Sequence, residues 1–203
     1  MPEAINSELI QGATDFHGHW CPGLAIGIRA AEWALQEMGR SGDEDIVAVV
    51  ETDMCGVDAI QYLTGCTFGK GNLIHKDYGK NAFTFYRRSD GKAARIVARP
   101  GIFGEGHEAL GRLHRKMQTD GLTEKEEADW KQIRAMASKR VMEARLADLF
   151  EVKEPSGPPP KQARILSSLP CDSCGEAVME SRTRRIHEQT LCLPCFEEME
   201  KRY

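Results

Sequence analysis

Cys171-Asp172-Ser173-Cys174 and, after seventeen further residues, Cys192-Leu193-Pro194-Cys195 form two Cys-x-x-Cys pairs in the C-terminal part of the chain. Two pairs at this separation predict one tetrahedral zinc site with four thiolate ligands. Gly175 follows the first pair, and glycine supplies the left-handed backbone that a metal-binding turn needs. The second pair opens an amphipathic segment from Cys192 to Tyr203. We therefore expect a treble-clef module with a structural zinc, held by Cys171, Cys174, Cys192 and Cys195.

The alternative for these cysteines is a pair of disulfides or a redox-active Cys-x-x-Cys. The chain holds seven cysteines, and an odd number argues against a disulfide framework. Its first residues show no basic and apolar export signal, and no apolar run approaches the ~20 residues that a membrane span requires. We therefore expect a cytoplasmic protein without a membrane partner, in which thiols stay reduced and bind metals.

The charge pattern gives little support for nucleic-acid binding. The formal net charge is −4 at pH 7, whereas nucleic-acid-binding domains are usually basic. Arg182, Arg184 and Arg185 lie in the zinc module, but glutamates surround them in the sequence. A solvated hairpin is the simpler interpretation of this cluster, and binding to nucleic acid stays an alternative.

A proline-rich stretch marks the boundary between two parts of the chain. Glu154-Pro155-Ser156-Gly157-Pro158-Pro159-Pro160-Lys161 cannot form a helix or a central strand, because proline lacks the amide donor and fixes its backbone angle. Such a stretch acts as a semi-rigid spacer. We predict a core with a helical extension over residues 1–153, a linker over 154–163 and a four-cysteine zinc-finger module over 164–203.

The core alternates between helical and extended patterns in a way that favours the α+β class, with a mostly antiparallel sheet and packed helices. Apolar spacing and a capping box at Thr123-Glu124-Lys125-Glu126 predict the helices. The predicted helices are Pro22 to Met38, Val57 to Thr64, about Gly106 to Met117 and a long one after Thr123; the predicted strands are Ile46 to Glu51, Leu73 to Asp77, Ala82 to Arg87 and Ala94 to Arg99.

The densest group of reactive residues is Phe16-His17-Gly18-His19-Trp20-Cys21-Pro22-Gly23. His17 and His19 precede the helix on a stretch that we expect to be extended, so their side chains face the same side. Cys21 stands at the helix N-terminus, where the helix dipole favours the thiolate. Two imidazoles and a thiolate suit zinc or another transition metal. The alternative is a turn with two exposed histidines and a buried cysteine.

A second group follows the first strand. Cys55 stands just before a helix, again where a thiolate is favoured. Asp53 and Asp58 could orient a histidine or a metal-bound water, although Asp53 is equally well explained as a helix cap. Cys66 is either a third functional thiol or a buried core cysteine. Lys70 could reach an anionic ligand, but its glycine-rich loop lacks the P-loop spacing, so no nucleotide site is predicted.

Three motifs occur in order within roughly residues 12 to 100, and they resemble those of the FmdE family, named after the E chain of formylmethanofuran dehydrogenase. They are His17-Gly18-His19-x-Cys21-Pro22-Gly23, Cys55-x-x-Asp58-Ala59-Ile60-Gln61 and Thr64-Gly65-Cys66-Thr67-x-Gly69-Lys70-Gly71-Asn72-Leu73. The resemblance implies an α+β core, a C-terminal treble-clef zinc finger as in some members, and a homodimer. It also implies a cavity able to hold a metal, surrounded by His17, His19, Cys21, Cys55 and Cys66.

The family name implies a link to one-carbon metabolism, because the dehydrogenase interconverts carbon dioxide and formylmethanofuran. Its molybdenum or tungsten pterin and its iron–sulfur clusters belong to other subunits, and this chain has no ferredoxin-type cysteine run. We therefore expect an accessory metalloprotein, with dehydrogenase subunits as partners. One alternative is an enzyme in which Cys55 or a metal-bound water attacks a carbonyl and His17 or His19 handles the proton. The other is an adaptor whose zinc finger binds protein or nucleic acid.

Overall fold

The structure, a computed structural model, describes residues 5–104 and 106–201. The chain divides into two compact units, with the boundary between Gln162 and Ala163. The predicted start of the core at residues 1–4 and the predicted end of the last helix at residues 202–203 lie outside the described part.

The helices of the first unit begin with one that the sequence analysis did not predict. The Asn6 side chain caps it by accepting the Leu9 N–H at 2.9 Å, and Gly18 ends it with φ 90°. His17 is therefore the last residue of a helix and does not lie on an extended stretch, which corrects that expectation. The helices are α1 (Ser7–His17), α2 (Pro22–Met38), α3 (Gly56–Thr64), α4 (His107–Thr119), α5 (Glu124–Glu143) and the short α6 (Leu146–Leu149).

The capping box predicted for the long helix is confirmed. The Thr123 hydroxyl accepts the Glu126 N–H, and the Glu126 carboxylate accepts the Thr123 N–H at 2.9 Å. Two of the N–H groups that every helix leaves without an intrahelical partner are thereby satisfied. This sequence signal fixes where α5 begins.

In the described residues the first unit holds one five-stranded sheet with the order β2-β1-β3-β4-β5. β1 pairs with β2 in parallel and every other pair is antiparallel, so the predicted α+β class is confirmed. The edge strand β5 was not predicted, because three of its four residues are exposed and two of them are charged. The strands are β1 (Ile46–Val50), β2 (Leu73–His75), β3 (Ala82–Arg87), β4 (Ala93–Ala98) and β5 (Phe150–Lys153).

α2 and α3 touch each other backbone to backbone. A Cβ atom added at Gly27 of α2 would lie 2.2 Å from the Gly56 carbonyl oxygen at the start of α3. A Cβ atom at Gly23 would lie 3.2 Å from Cys55 Cβ. The first turns of α2 therefore pack directly on the first turn of α3, and the residues at the two helix N-termini become neighbours.

Part of the proline-rich segment is hydrogen-bonded to residues in and just after β3. The Tyr86 hydroxyl donates to the Gly157 carbonyl at 3.3 Å, and the Arg88 guanidinium donates to the Pro160 carbonyl at 2.8 Å. Proline leaves its own carbonyl free to accept such bonds. The segment is thus tied to the first unit at these points, which the description as a spacer did not foresee.

A partly buried ion pair joins β4 to the residue that follows β1. Arg95 donates to both carboxylate oxygens of Glu51, at 2.6 and 2.8 Å. The Arg95 guanidinium lowers the pKa of Glu51, against a smaller effect of burial. Because the folded-state pKa is depressed, this carboxylate stabilises the fold above its unfolded pKa, and the contribution is lost as pH falls through the folded value.

The second unit is a small module of two hairpins and a helix. Leu191 is fully buried at its centre together with Cys171 and Cys192. A turn, a hairpin and a helix that carries the last cysteine are the parts of a treble clef, as predicted. The hairpins pair β6 (Ser168–Pro170) with β7 (Ala177–Met179) and β8 (Thr183–Ile186) with β9 (Gln189–Cys192), and α7 (Leu193–Glu200) follows.

The contact between α2 and α3 makes a testable prediction. We expect Gly27→Ala to lower the free energy of unfolding by roughly 1–3 kcal/mol, or to prevent folding, because the added methyl overlaps backbone atoms. The matched control is Gly111→Ala in α4, where the new Cβ would meet only the end of a flexible arginine at 3.5 Å; it should be neutral or stabilise by up to ~1 kcal/mol. Urea unfolding measures both. Equal stability of the two variants would contradict the close packing.

Candidate metal centres

The first candidate centre, here called the core cluster, consists of His17, His19, Cys21 and Cys55. One ligand atom from each residue lies within 4.8 Å of those of the others. The residues come from the end of α1, the link to α2, the N-cap of α2 and the residue before α3. The fold thus assembles two nitrogen and two sulfur ligands, a set that suits zinc and other borderline metals.

His17 is oriented by a carboxylate. Its Nδ1 lies 2.7 Å from Asp58 Oδ2, and its Nε2 faces Cys21 Sγ at 3.9 Å. Metal-binding histidines usually donate their other ring N–H to a carboxylate or carbonyl, which fixes the ring and the tautomer. The arrangement leaves Nε2 as the ligand atom. The His19 ring lies 4.4 Å from the His17 ring, between centroids, and is the exposed member of the cluster.

The two core thiols are held close together at the N-termini of α2 and α3. Cys21 Sγ caps α2 by accepting the Leu24 N–H at 3.3 Å. Burial, and then the neighbouring Cys21, raise the pKa of Cys55. The position before α3 therefore does not lower the pKa of Cys55, which corrects the expectation that a thiolate is favoured there. A bound divalent cation reverses this balance, since a coordinating thiol is deprotonated, and the paired sulfurs fit such a cation.

The other candidate residues lie in α3 and on both sides of it, and only one of them is at the cluster. Asp58 lies at the cluster, whereas Asp53 is exposed and does not cap α3. The Asp53 side chain has no hydrogen bond within the described residues, so it orients no histidine there. Cys66 is fully buried and donates to the Ile46 carbonyl at 3.5 Å. Lys70 donates to the Asp43 carbonyl at 3.3 Å. Cys66 and Lys70 thus lie where β1 begins, away from the core cluster, which differs from the expected cavity.

The second candidate centre, here called the finger cluster, consists of Cys171, Cys174, Cys192 and Cys195. Their sulfurs lie within 4.8 Å of one another, and Cys174 and Cys192 are 4.0 Å apart. Gly175 has φ 77°, which allows the turn after the first pair. The Thr190 N–H donates to Asp172 Oδ2 at 2.6 Å and ties this turn to β9.

The four thiols of the finger cluster cannot all ionise on their own. Backbone amides, first that of Cys174 and then that of Cys192, lower the pKa of Cys171 to about 6. The neighbouring Cys192 raises the pKa of Cys195 to about 12. Thiols that oppose one another's ionisation in this way would be ionised together by a cation bound between them. Zinc is that cation in sites with four cysteine ligands, so the residues fit this ion.

Comparison with known proteins identifies the family. The sequence profile described as "FmdE, Molybdenum formylmethanofuran dehydrogenase operon" matches residues 16–151, which is more than half of the chain. The chain belongs to the FmdE family. A second profile, the "Prokaryotic dksA/traR C4-type zinc finger", matches residues 164–201. The core cluster lies in the first match and the finger cluster in the second, as the resemblance implied.

Two relatives extend this comparison. A "Probable S-adenosyl-L-methionine-binding protein" of Archaeoglobus fulgidus is 31% identical over 211 residues, which cover 96% of this FmdE-family chain and 54% of that protein. The chain thus spans about half the length of this curated relative. The crystal structure of a "tungsten formylmethanofuran dehydrogenase subunit e (fmde)-like protein" from Syntrophus aciditrophicus is similar with a TM-score of 0.61 at 26% identity, covering 96% of this chain and 93% of that one. No helix in the described residues is long and apolar enough to cross a membrane.

The contact between Asp58 and His17 can be tested by a pair of variants. We expect Asp58→Asn to weaken metal binding at the core cluster roughly 10–100-fold, because the orienting carboxylate charge is lost. Asp53→Asn removes the same charge nearby without touching the cluster and should leave the affinity unchanged. Zinc competition with a chelator measures both, and the finger cluster is the same in each. Equal affinities would show that Asp58 does not position His17.

The finger cluster gives a second prediction. Cys174→Ser should release the finger zinc and unfold the module, because small metal modules fold on their ion. The melting transition of the first unit should remain, while Ser168→Ala in the exposed β6 should change neither. Zinc content and calorimetry measure the outcome. Simultaneous loss of both transitions would mean that the module is an integral part of the first unit.

Proposed function

We propose that this FmdE-family protein is an accessory metalloprotein of one-carbon metabolism, with an exchangeable transition metal in the core cluster and a structural zinc in the finger cluster. The observation that carries the proposal is the convergence of two imidazoles and two thiols within 4.8 Å, with His17 already held by Asp58. The family description, which names the formylmethanofuran dehydrogenase operon, supports the metabolic setting.

The make-up of the core cluster favours metal binding and transfer over catalysis. Catalytic zinc sites usually combine three protein ligands with an open position for water or substrate, whereas here four protein ligands converge. Cys55 as a ligand is not free to act as a nucleophile, which weighs against the thiol-enzyme alternative. His19 is the exposed ligand, and an incoming molecule would displace it first. Exchange of the metal with a partner would therefore begin at His19.

We propose a homodimer that associates with subunits of a formylmethanofuran dehydrogenase complex. The helical hairpin of α4 and α5 supports an interface, because Met117 and Met136 on it are 42% and 63% exposed and large apolar side chains at the surface favour contact with another protein. Light scattering of the purified protein gives the oligomeric state, and a mass of one chain would exclude the dimer.

A second candidate function is that of an adaptor, with the zinc-finger module as its binding surface. Arg182, Arg184 and Arg185 are exposed and form no ion pair within the described residues. They could meet an acidic protein or the phosphates of a nucleic acid. A steep salt dependence of RNA or DNA binding, lost when these arginines become glutamine, would favour this function.

Metal content tests the main proposal directly. We expect about two equivalents of metal per chain in the full-length protein and about one after Cys21→Ser together with Cys55→Ser, because the donor set of one site is halved. Cys66→Ala is the matched control, since this cysteine is buried outside both clusters, and it should retain two equivalents. Elemental analysis of tag-free protein gives the numbers. A single equivalent in the unaltered protein would leave only the structural zinc.

A further inference from the structure

A small cavity adjoins the loop that carries the core cluster. It has a volume of about 200 Å³ and is lined by Trp20, Lys131, Arg134, Ala135 and Ser138; we call it the Trp20 cavity. Trp20 stands in the chain between the ligands His19 and Cys21, and the other four residues lie on α5, which packs against α2. Any molecule in this cavity is therefore next to the metal-binding loop.

The charges of the Trp20 cavity are of one sign. Lys131 and Arg134 line it, no acidic side chain does so among the described residues, and neither cation takes part in an ion pair within that part of the chain. The Arg134 guanidinium lies over the Trp130 ring, 5.4 Å from its centroid, and this cation–π contact limits its movement. Two cations without a carboxylate partner attract an anion.

Trp20 supplies a flat apolar surface to the same cavity. Its side chain is 40% exposed, although it directly precedes the buried Cys21. Its indole N–H has no hydrogen-bond partner in the residues that the structure describes. Tryptophan combines a large ring face with one donor, and buried or ligand-bound tryptophans usually use both. The cavity thus offers a ring face, one free donor and two cations.

We propose that the Trp20 cavity binds a small planar organic carboxylate, whose flat part lies on Trp20 and whose charge meets Lys131 and Arg134. This inference deepens the proposed function, because it names the class of molecule that would reach the core cluster and its exposed ligand His19. Only the statement that this molecule reaches the core cluster rests on the proposed function. The anion itself is held by protein groups, so its binding does not require a metal.

Three probes separate the features of the proposed ligand. Benzoate carries the ring and the charge, benzamide the ring without the charge, and acetate the charge without the ring. We expect benzoate to bind to the full-length protein, followed by calorimetry or by saturation-transfer NMR. Benzamide and acetate should each bind about tenfold more weakly, because each loses one of the two contacts. Benzamide binding as tightly as benzoate, or no binding of benzoate, would overturn the proposal.

Variants assign the binding to this cavity. Lys131→Gln with Arg134→Gln should weaken benzoate about tenfold or more, since charge-assisted hydrogen bonds are the strong ones. Lys92→Gln removes a charge near the other end of α2, where Lys92 pairs with Glu37, and should leave binding unchanged. Circular dichroism checks folding, and the single Arg134→Gln provides a milder change. Equal weakening by the control, or none by the double variant, would place the benzoate elsewhere.

Phosphate and metal content complete the experiment. Inorganic phosphate that binds as tightly as benzoate would show that the cavity recognises charge alone, and the proposal of a planar ligand would be wrong. The same samples are measured for metal, and the Lys131 and Arg134 variants should keep the metal of the unaltered protein. Benzoate binding with an empty core cluster would disprove the metal proposal and retain the cavity. Metal in the core cluster of a protein that does not bind benzoate would disprove the cavity proposal and retain the metal proposal.

Discussion

The backbone contact between Gly27 and Gly56 is the constraint on which the core cluster depends. Two helices can approach this closely only where neither carries a side chain at the crossing, and here the crossing lies near the start of both helices. The residues just before those helices, Cys21 and Cys55, are brought together as a consequence. A larger residue at Gly27 would separate the helices and the two sulfurs with them, even though it touches no ligand.

The two metal clusters are built in different ways, and this difference matters for what they can do. The finger ligands lie within 25 residues, from Cys171 to Cys195, in a module with few buried apolar side chains. Such a module depends on its ion to fold. The core ligands span His17 to Cys55 and are positioned by helices packed in a large apolar core. The core cluster can therefore keep its arrangement without a metal, and release of a metal bound there would not unfold the protein.

Local patterns predicted the finger cluster and most core helices and strands, because cysteine spacing and apolar periodicity are properties of short segments. The helix before Gly18 was missed, although Asn6 followed by Leu9, Ile10 and Ala13 carries its signal. Cys66 was placed at the cavity by family resemblance. The length of α3, nine residues at ~1.5 Å each, already separates Cys55 from Cys66 by more than a ligand distance. The contact of His17 with Asp58 depends on tertiary packing, and spacing alone could only suggest it.

The core cluster combines a rigid part and an exposed part. Cys21 is fixed as a helix cap, Cys55 is packed against α2, and His17 is held by Asp58. His19 lies in the short link after the left-handed Gly18, where no helix or strand holds it. A metal bound by three fixed ligands and one exposed ligand keeps its position while one bond opens. The Trp20 cavity lies beside this exposed link, so the side from which a bound metal would be most accessible is also the side where a small anion would bind. Access from that side would allow exchange without moving the helices that make the cluster.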